Sequence, residues 1–188
     1  MRMTGLILAL FLLAGCGRGP PTSSHMTDIS GGMPRLDFHL TRADGAAVSG
    51  DTYRGKVVVL YFGYAHCPDI CPTTLANLTD MLGRVKNPDV RVLFVTVDPE
   101  RDTLAALKDY AAAFSPQVEG LRGTAQQLAS LARIYRVAYT VDKGPPYTVM
   151  HSNAVFFFDR DGRARLVTTD TTNTAAMAED VTGLLRQQ

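Results

Sequence analysis

The stretch KVVVLYFGYAHCPDIC, Lys56 to Cys71, constrains the fold more than any other part of the chain. Its first half is a continuous apolar run rich in β-branched and aromatic residues, the pattern of a strand buried on both faces. Its second half carries Cys67 and Cys71, with three residues between them and a proline after each. Beyond them Leu75, Leu78, Met81, Leu82 and Val85 recur at helical spacing, so an amphipathic helix is predicted over Thr73–Lys86.

The remaining elements extend that start. VRVLFVTVD (Val90–Asp98) repeats the buried-strand pattern, and TLAALKDYAAAF (Thr103–Phe114) is a strong helix former. TAQQLASLARIYRV (Thr124–Val137) opens on a Thr-x-x-Gln capping box and reads as a third helix. NAVFFFDRDGRARLVTT (Asn153–Thr169) is two strand-like runs about an Asp-Gly turn, with a last helix over Thr174–Gln187. LDFHLTRADGAAVS (Leu36–Ser49) reads as a small hairpin turning at Asp44-Gly45. This order predicts an α/β, thioredoxin-like fold: a central mixed sheet flanked by helices, with an N-terminal β-hairpin extension. An open doubly wound sheet is the rival. Cysteines placed where the first long strand runs into its helix favour the thioredoxin-like layout.

With 188 residues, 46% of them hydrophobic, the chain holds one ordinary domain and needs no disulfide framework. A formal net charge of +1 and the lack of a Lys/Arg run argue against a nucleic-acid partner. The beginning differs from the rest. MRMTGLILALFLLAGC has an early arginine, an apolar run too short to span a bilayer, and small residues before a cysteine, as secretory signals do. Its ending LAGC resembles the lipobox of bacterial lipoproteins, which implies cleavage before Cys16 and lipidation of that residue. The expected boundaries are a lipoprotein signal peptide over residues 1–15, a lipidated cysteine and flexible tether over 16–34, and the thioredoxin-like domain over 35–188. The protein is then expected at the cell membrane, lipid-anchored and facing the periplasm or extracytoplasmic side. With Cys16 used by the anchor, one cysteine pair remains in an exported, oxidising compartment.

Cys67 and Cys71 lie just past the carboxyl end of a strand and before a helix N-terminus, where backbone N–H groups and the helix dipole favour thiolate. Thiolate is both nucleophile and metal ligand, so redox and metal chemistry both fit. The pair is one residue wider than the C-x-x-C of thioredoxin-type dithiols, yet an i, i+4 pair still shares one helix face. A mere staple is disfavoured, since a bridge closing so small a loop removes little chain entropy. Among the four histidines, His25 falls in the tether, His39 in the hairpin, His66 before Cys67, and His151 before NAVFFF. His151 stands out, because the strand it introduces returns beside the cysteine-bearing edge. Thioredoxin-like oxidoreductases keep a cis-proline there, whereas Pro145 and Pro146 lie five or more residues upstream. That tilts the reading toward metal. Asp98, closing the second buried strand, is either a turn residue or a carboxylate that orients the site. Arg101 and Asp102 read as solvated or helix-start residues. Tyr61, Phe62 and Phe156 to Phe158 read as core.

Three separated motifs, YFGYAHCPDICPTTL, VTVDPERDT (Val95–Thr103) and YTVMHS (Tyr147–Ser152), together resemble the Sco/SenC family of copper-handling proteins over most of Leu36–Leu185. The resemblance implies copper, as Cu(I), Cu(II) or both, held by Cys67, Cys71 and His151. It implies a membrane-anchored metallochaperone that delivers copper to, or matures, the binuclear CuA centre of cytochrome c oxidase. The alternative is a thiol–disulfide oxidoreductase that uses Cys67 and Cys71 as a redox-active pair to reduce the cysteines of that site. Expected partners are the oxidase subunit carrying the CuA site and another periplasmic copper chaperone or thiol reductant. Two departures from the family pattern stand out. Met150 occupies a position where many relatives carry an acidic residue, and is either a weak thioether ligand or packing. The lipobox replaces the transmembrane helix that many relatives use as anchor.

Overall fold

The apolar run after Lys56 forms a seven-residue strand, β4 (Val57–Gly63), with every residue buried. The computed structural model describes residues 24–187, so the signal peptide, Cys16 and the first part of the tether lie outside the described residues. β4 is central in an eight-stranded mixed sheet. In chain order the other members are β1 (Thr27–Asp28), β2 (His39–Arg42), β3 (Ala47–Ser49), β5 (Val90–Thr96), β6 (Val118–Arg122), β9 (Val155–Phe158) and β10 (Ala164–Thr168). The spatial order is β1-β10-β9-β4-β5-β6-β2-β3. β4, β5 and β6 are parallel and the rest pair antiparallel. A separate two-stranded ribbon pairs β7 (Tyr139–Asp142) with β8 (Thr148–His151). The helices are α1 (Ile70–Val85), α2 (Leu104–Ala112), α3 (Ala125–Ile134) and α4 (Thr174–Arg186).

This is the expected thioredoxin-like arrangement, and local chemistry explains its parts. Parallel β4 and β5 require the α1 crossover, and burying their Val, Leu and Phe side chains contributes about 1.5–3 kcal/mol each. Thr103 caps α2 by accepting from the Ala106 N–H, and Thr124 and Gln127 complete the capping box of α3. The hairpin turns at Gly45, whose φ of 91° suits glycine, and β2 joins it to the far edge through β6. α1 begins at Ile70, three residues earlier than predicted, and so takes in Cys71 and Pro72. A proline in the first turn is tolerated because the N–H it lacks has no intrahelical partner there.

Four strands carry no apolar run and were not expected. β6 contains Glu119 and Gly120; a Cβ at Gly120 would stand 3.0 Å from the Leu107 backbone oxygen, so glycine lets α2 lie close. The β7–β8 ribbon is largely exposed and puts His151 at its end. β1 corrects the tether boundary. From Ser24 the chain lies against the domain: Met26 is buried, β1 pairs with β10, and Asp180 on α4 accepts the N–H groups of His25 and Met26. His25 also pairs with Glu179 at 2.9 Å.

Candidate metal centre

The cysteines and His151 reach one another from two elements that the sheet brings together. Cys67 sits in the turn after β4, and Cys71 is the second residue of α1. β9 returns antiparallel beside β4, with Val155 opposite Tyr61, and this carries the end of β8 to the same end of the sheet. One donor atom from each of Cys67, Cys71 and His151 lies within 4.8 Å of the others. The Cys71 Sγ to His151 Nε2 distance is 3.3 Å. With bonds of about 2.3 Å to sulfur and about 2.0 Å to nitrogen, a three-coordinate ion needs donors roughly 3.7–4.0 Å apart. The cluster therefore closes on an ion with shifts below about 1 Å.

Each donor is prepared differently. His151 Nδ1 lies 2.9 Å from the Ser152 carbonyl oxygen, which fixes the proton on that nitrogen and leaves the Nε2 lone pair facing Cys71. Burial pushes the His151 pKa below its ordinary value, against the pull of that carbonyl, so the ring is a neutral ligand near pH 7. Cys67 takes over the capping of α1. Asp69 at the N-cap makes no side-chain cap, and the Cys71 N–H donates instead to Cys67 Sγ at 3.4 Å. Burial opposes ionisation of Cys67, but the N–H groups of Asp69 and Cys71 outweigh it, and its pKa falls below the usual thiol range. Cys71 is fully buried, which with the neighbouring Cys67 sulfur pushes its pKa up to about 12. The pair is thus one outer thiol that ionises more readily and one inner thiol that resists ionisation, both unbridged.

The other candidates fall outside this group. Asp98 is buried and spent on two donors, Arg101 Nε at 2.5 Å and the Tyr147 hydroxyl at 2.9 Å. The Arg101 guanidinium stacks 3.8 Å from the Tyr147 ring centre. Met150 is 69% exposed, its neighbour His151 being the inward residue of an alternating strand. The Pro145–Pro146 bond is cis and lies in the turn of the ribbon. His39 is exposed on β2.

Asp102 departs from expectation. Far from solvated, it is 0% exposed and accepts from the Ala65 N–H at 2.8 Å and the Thr96 hydroxyl at 2.6 Å, with His66 Nδ1 at 2.9 Å. It clamps the turn that carries Cys67, and no local signal marks it, because all its partners but Thr96 are remote in sequence. Gly63 was also missed. A Cβ there would stand 3.1 Å from Cys71 Sγ, so the strand must end in glycine for the sulfur to lie against it. Here a signal existed, a lone glycine within an apolar strand.

A thioredoxin-like sheet that holds two thiols and a tautomer-fixed imidazole within reach of one ion defines a soft-metal-binding member of that fold class. Residues 31–186 match the SCO1/SenC family model, and the chain belongs to that family. It is 40% identical to the mitochondrial SCO2 homolog of Bos taurus, over 80% of this chain and 58% of that protein. It thus spans little more than half the length of the curated relatives it matches. It superposes on Arabidopsis thaliana ScoI with copper bound at TM-score 0.75 and 33% identity, covering 82% of this chain and 99% of that one. BsSco, described as having a disulfide switch and as a member of the Sco family of cytochrome c oxidase assembly proteins, aligns at TM-score 0.67 and 25% identity, covering 82% and 96%.

Proposed function

We propose that the protein holds one copper ion between Cys67, Cys71 and His151 and delivers it to the CuA centre of cytochrome c oxidase. The observation that carries this reading is the convergence of the three donor atoms within 4.8 Å. Two thiolates and an imidazole suit Cu(I) and tolerate Cu(II), whereas structural zinc takes four protein donors. The copper bound by the Arabidopsis relative and the oxidase-assembly description of BsSco support the cargo and its destination. Loading displaces the Cys71 proton. Delivery proceeds by ligand exchange, each bond to this protein being replaced by one to an acceptor ligand, starting from the less buried Cys67 and His151. Lipidated Cys16 anchors the domain to the cell membrane on its periplasmic side; a Cys16→Ser protein recovered in the membrane fraction overturns this part.

The test is an anaerobic titration of the reduced protein with Cu(I) and Cu(II), beside Cys67→Ala, Cys71→Ala and His151→Ala. One copper per parent chain and a large loss of affinity in each variant are expected. Parent-like affinity in His151→Ala sinks the three-donor site.

The unequal thiols favour a second activity at the same pair. The Cys67 thiolate attacks a partner disulfide and releases one partner thiolate. Cys71 then loses its proton and attacks the Cys67 sulfur, leaving a Cys67–Cys71 disulfide and a reduced partner. This exchange needs no His151, so reductase activity survives His151→Ala while copper delivery does not.

A further inference from the structure

His151 is the one donor of the trio supplied from outside the central sheet and its α1 crossover. It ends β8, and among the described residues β7 and β8 pair only with each other. A lone two-stranded ribbon is at best marginally stable in water. Something else must therefore hold the imidazole 3.3 Å from Cys71 Sγ.

Alternation along Tyr147–His151 turns Tyr147, Val149 and His151 inward and leaves Thr148 and Met150 exposed. Val149 packs against the core. Tyr147 has a more specific seat. Its hydroxyl donates to Asp98 Oδ1 at 2.9 Å, and Arg101 Nε donates to Asp98 Oδ2 at 2.5 Å. The Arg101 guanidinium lies over the Tyr147 ring, 3.8 Å from its centre. Asp98 stands two residues beyond β5, whose end is tied to that of β4 by the 2.8 Å bond from the Val97 N–H to the Gly63 carbonyl. β8 therefore crosses the carboxyl ends of both strands, with Tyr147 pinned beyond β5 and His151 meeting the cysteines beyond β4. Tyr64 lies between these two ends. Its ring centre is 5.9 Å from the Arg101 guanidinium carbon, and it stands edge-on to His151, also at 5.9 Å.

We propose that Tyr147, gripped by Asp98 and Arg101, is a positioning residue for the metal centre: it fastens β8 across the sheet so that His151 stands at the cysteines before metal arrives. This role rests on the copper reading above for its cargo, and on the hydrogen bond and the stacking for its geometry. Asp98 is buried, and a buried carboxylate is costly unless its charge and lone pairs are met. Arg101 meets the charge from the same loop. The phenol brings a second donor from 49 residues away, in a charge-assisted bond roughly twice as strong as a neutral one. That bond joins the ribbon to the sheet. Without it the ribbon keeps its own ladder and the Val149 contact, but the imidazole also samples positions away from the sulfurs. Apparent affinity then falls with the fraction of chains in the closed arrangement.

The experiment compares Tyr147→Phe with Lys143→Ala. The first removes the hydroxyl, keeps the ring, and leaves Asp98 paired with Arg101, so the fold is kept. The second removes the Lys143–Glu100 pair, 2.5 Å across the same junction but exposed on both sides and hence of little worth. In the metal-free proteins, NMR follows the ring protons of His151, which sense the Tyr61 and Tyr64 rings at 6.0 and 5.9 Å. Melting and anaerobic Cu(I) affinity are measured beside them. Tyr147→Phe should move the His151 resonances toward those of a free imidazole and weaken copper binding about tenfold, while Lys143→Ala matches the parent in both. A Tyr147→Phe protein with parent resonances or parent affinity overturns the positioning role. So does one that melts lower with its His151 resonances unmoved, the mark of packing alone, or a Lys143→Ala protein that shifts them equally. Because the resonances are read without metal, a parent that binds no copper removes the copper reading and leaves the placement of His151 to be decided by them. A parent that binds copper, matched by Tyr147→Phe, removes the positioning role alone.

Discussion

Gly63→Ala tests how tightly the sheet and the sulfurs are built together. Gly63 is not among the positive-φ residues, so alanine there costs space and not backbone strain. The new Cβ would stand 2.5 Å from Phe94 Cε2 and 3.1 Å from Cys71 Sγ. Ordinary contact begins at 3.4 Å, so the ring edge must retreat by about 1 Å and the sulfur by a few tenths. Phe94 has little freedom to do so, being fully buried between the rings of Tyr61 and Tyr110. Overpacking of this kind costs about 1–3 kcal/mol. At roughly 2–4 °C for each kcal/mol in a domain of this size, melting should fall by several degrees. The sulfur's shift of a few tenths uses up most of the roughly 0.5 Å window that a preorganised site tolerates, so copper affinity should fall by roughly a few-fold. Gly83→Ala is the comparison: it lies on α1, the helix that carries Cys71, meets nothing within 4 Å, and should gain about 0.5–1 kcal/mol with copper binding unchanged. Calorimetry and competitive copper titration read both effects. A Gly63→Ala protein that melts with the parent or binds copper as tightly refutes the reasoning.

Other outcomes follow from the same geometry. Asp102→Ala strands the Ala65 N–H and the Thr96 hydroxyl and frees His66, at about 1–3 kcal/mol for each unmatched group; urea unfolding should show a loss of several kcal/mol, smaller in Asp102→Asn, and a loss below about 1 kcal/mol rules the clamp out. Copper affinity should weaken about tenfold per pH unit on acidification near neutrality, because the Cys71 proton, held to about 12, must be expelled. A titration series that is flat between about pH 6 and 8 contradicts this. In the metal-free protein the same raised pKa contributes stability below the ordinary thiol value of 9.0, and that contribution is lost as pH climbs from there through about 12. Melting temperatures across that alkaline range should decline, and a constant value denies Cys71 its burial.

Elements that carry their own signal were legible in the sequence. β4 and β9 are unbroken apolar runs, β5 is one interrupted by Arg91, and α2 and α3 begin at threonines that cap them. The Cys67, Cys71 and His151 set was legible too, because cysteine beside a strand end and histidine before a returning strand are sparse and directional cues. What stayed hidden depends on partners remote in sequence. β6 is a strand only because β5 and β2 flank it, since Glu119, Gly120 and Arg122 break any hydrophobic pattern. Asp102 looks like one more charge in DPERDT until Ala65 and Thr96 close over it. Met26 is a lone apolar residue in a polar stretch, and its burial depends on β10 and α4.

The donors are unevenly spread along the chain: Cys67 and Cys71 are neighbours, and His151 follows 80 residues later. A chain synthesised from its N-terminus therefore presents the thiols long before the imidazole. The trio exists only once β9 has slotted between β4 and β10. Possession of the complete site is consequently a certificate that the last third of the polypeptide has reached its native place. By linkage, an ion that binds all three stabilises the whole fold by RT ln(1 + [L]/Kd). A defect anywhere along β9 is then read at the metal as lost occupancy, with no residue of the site altered.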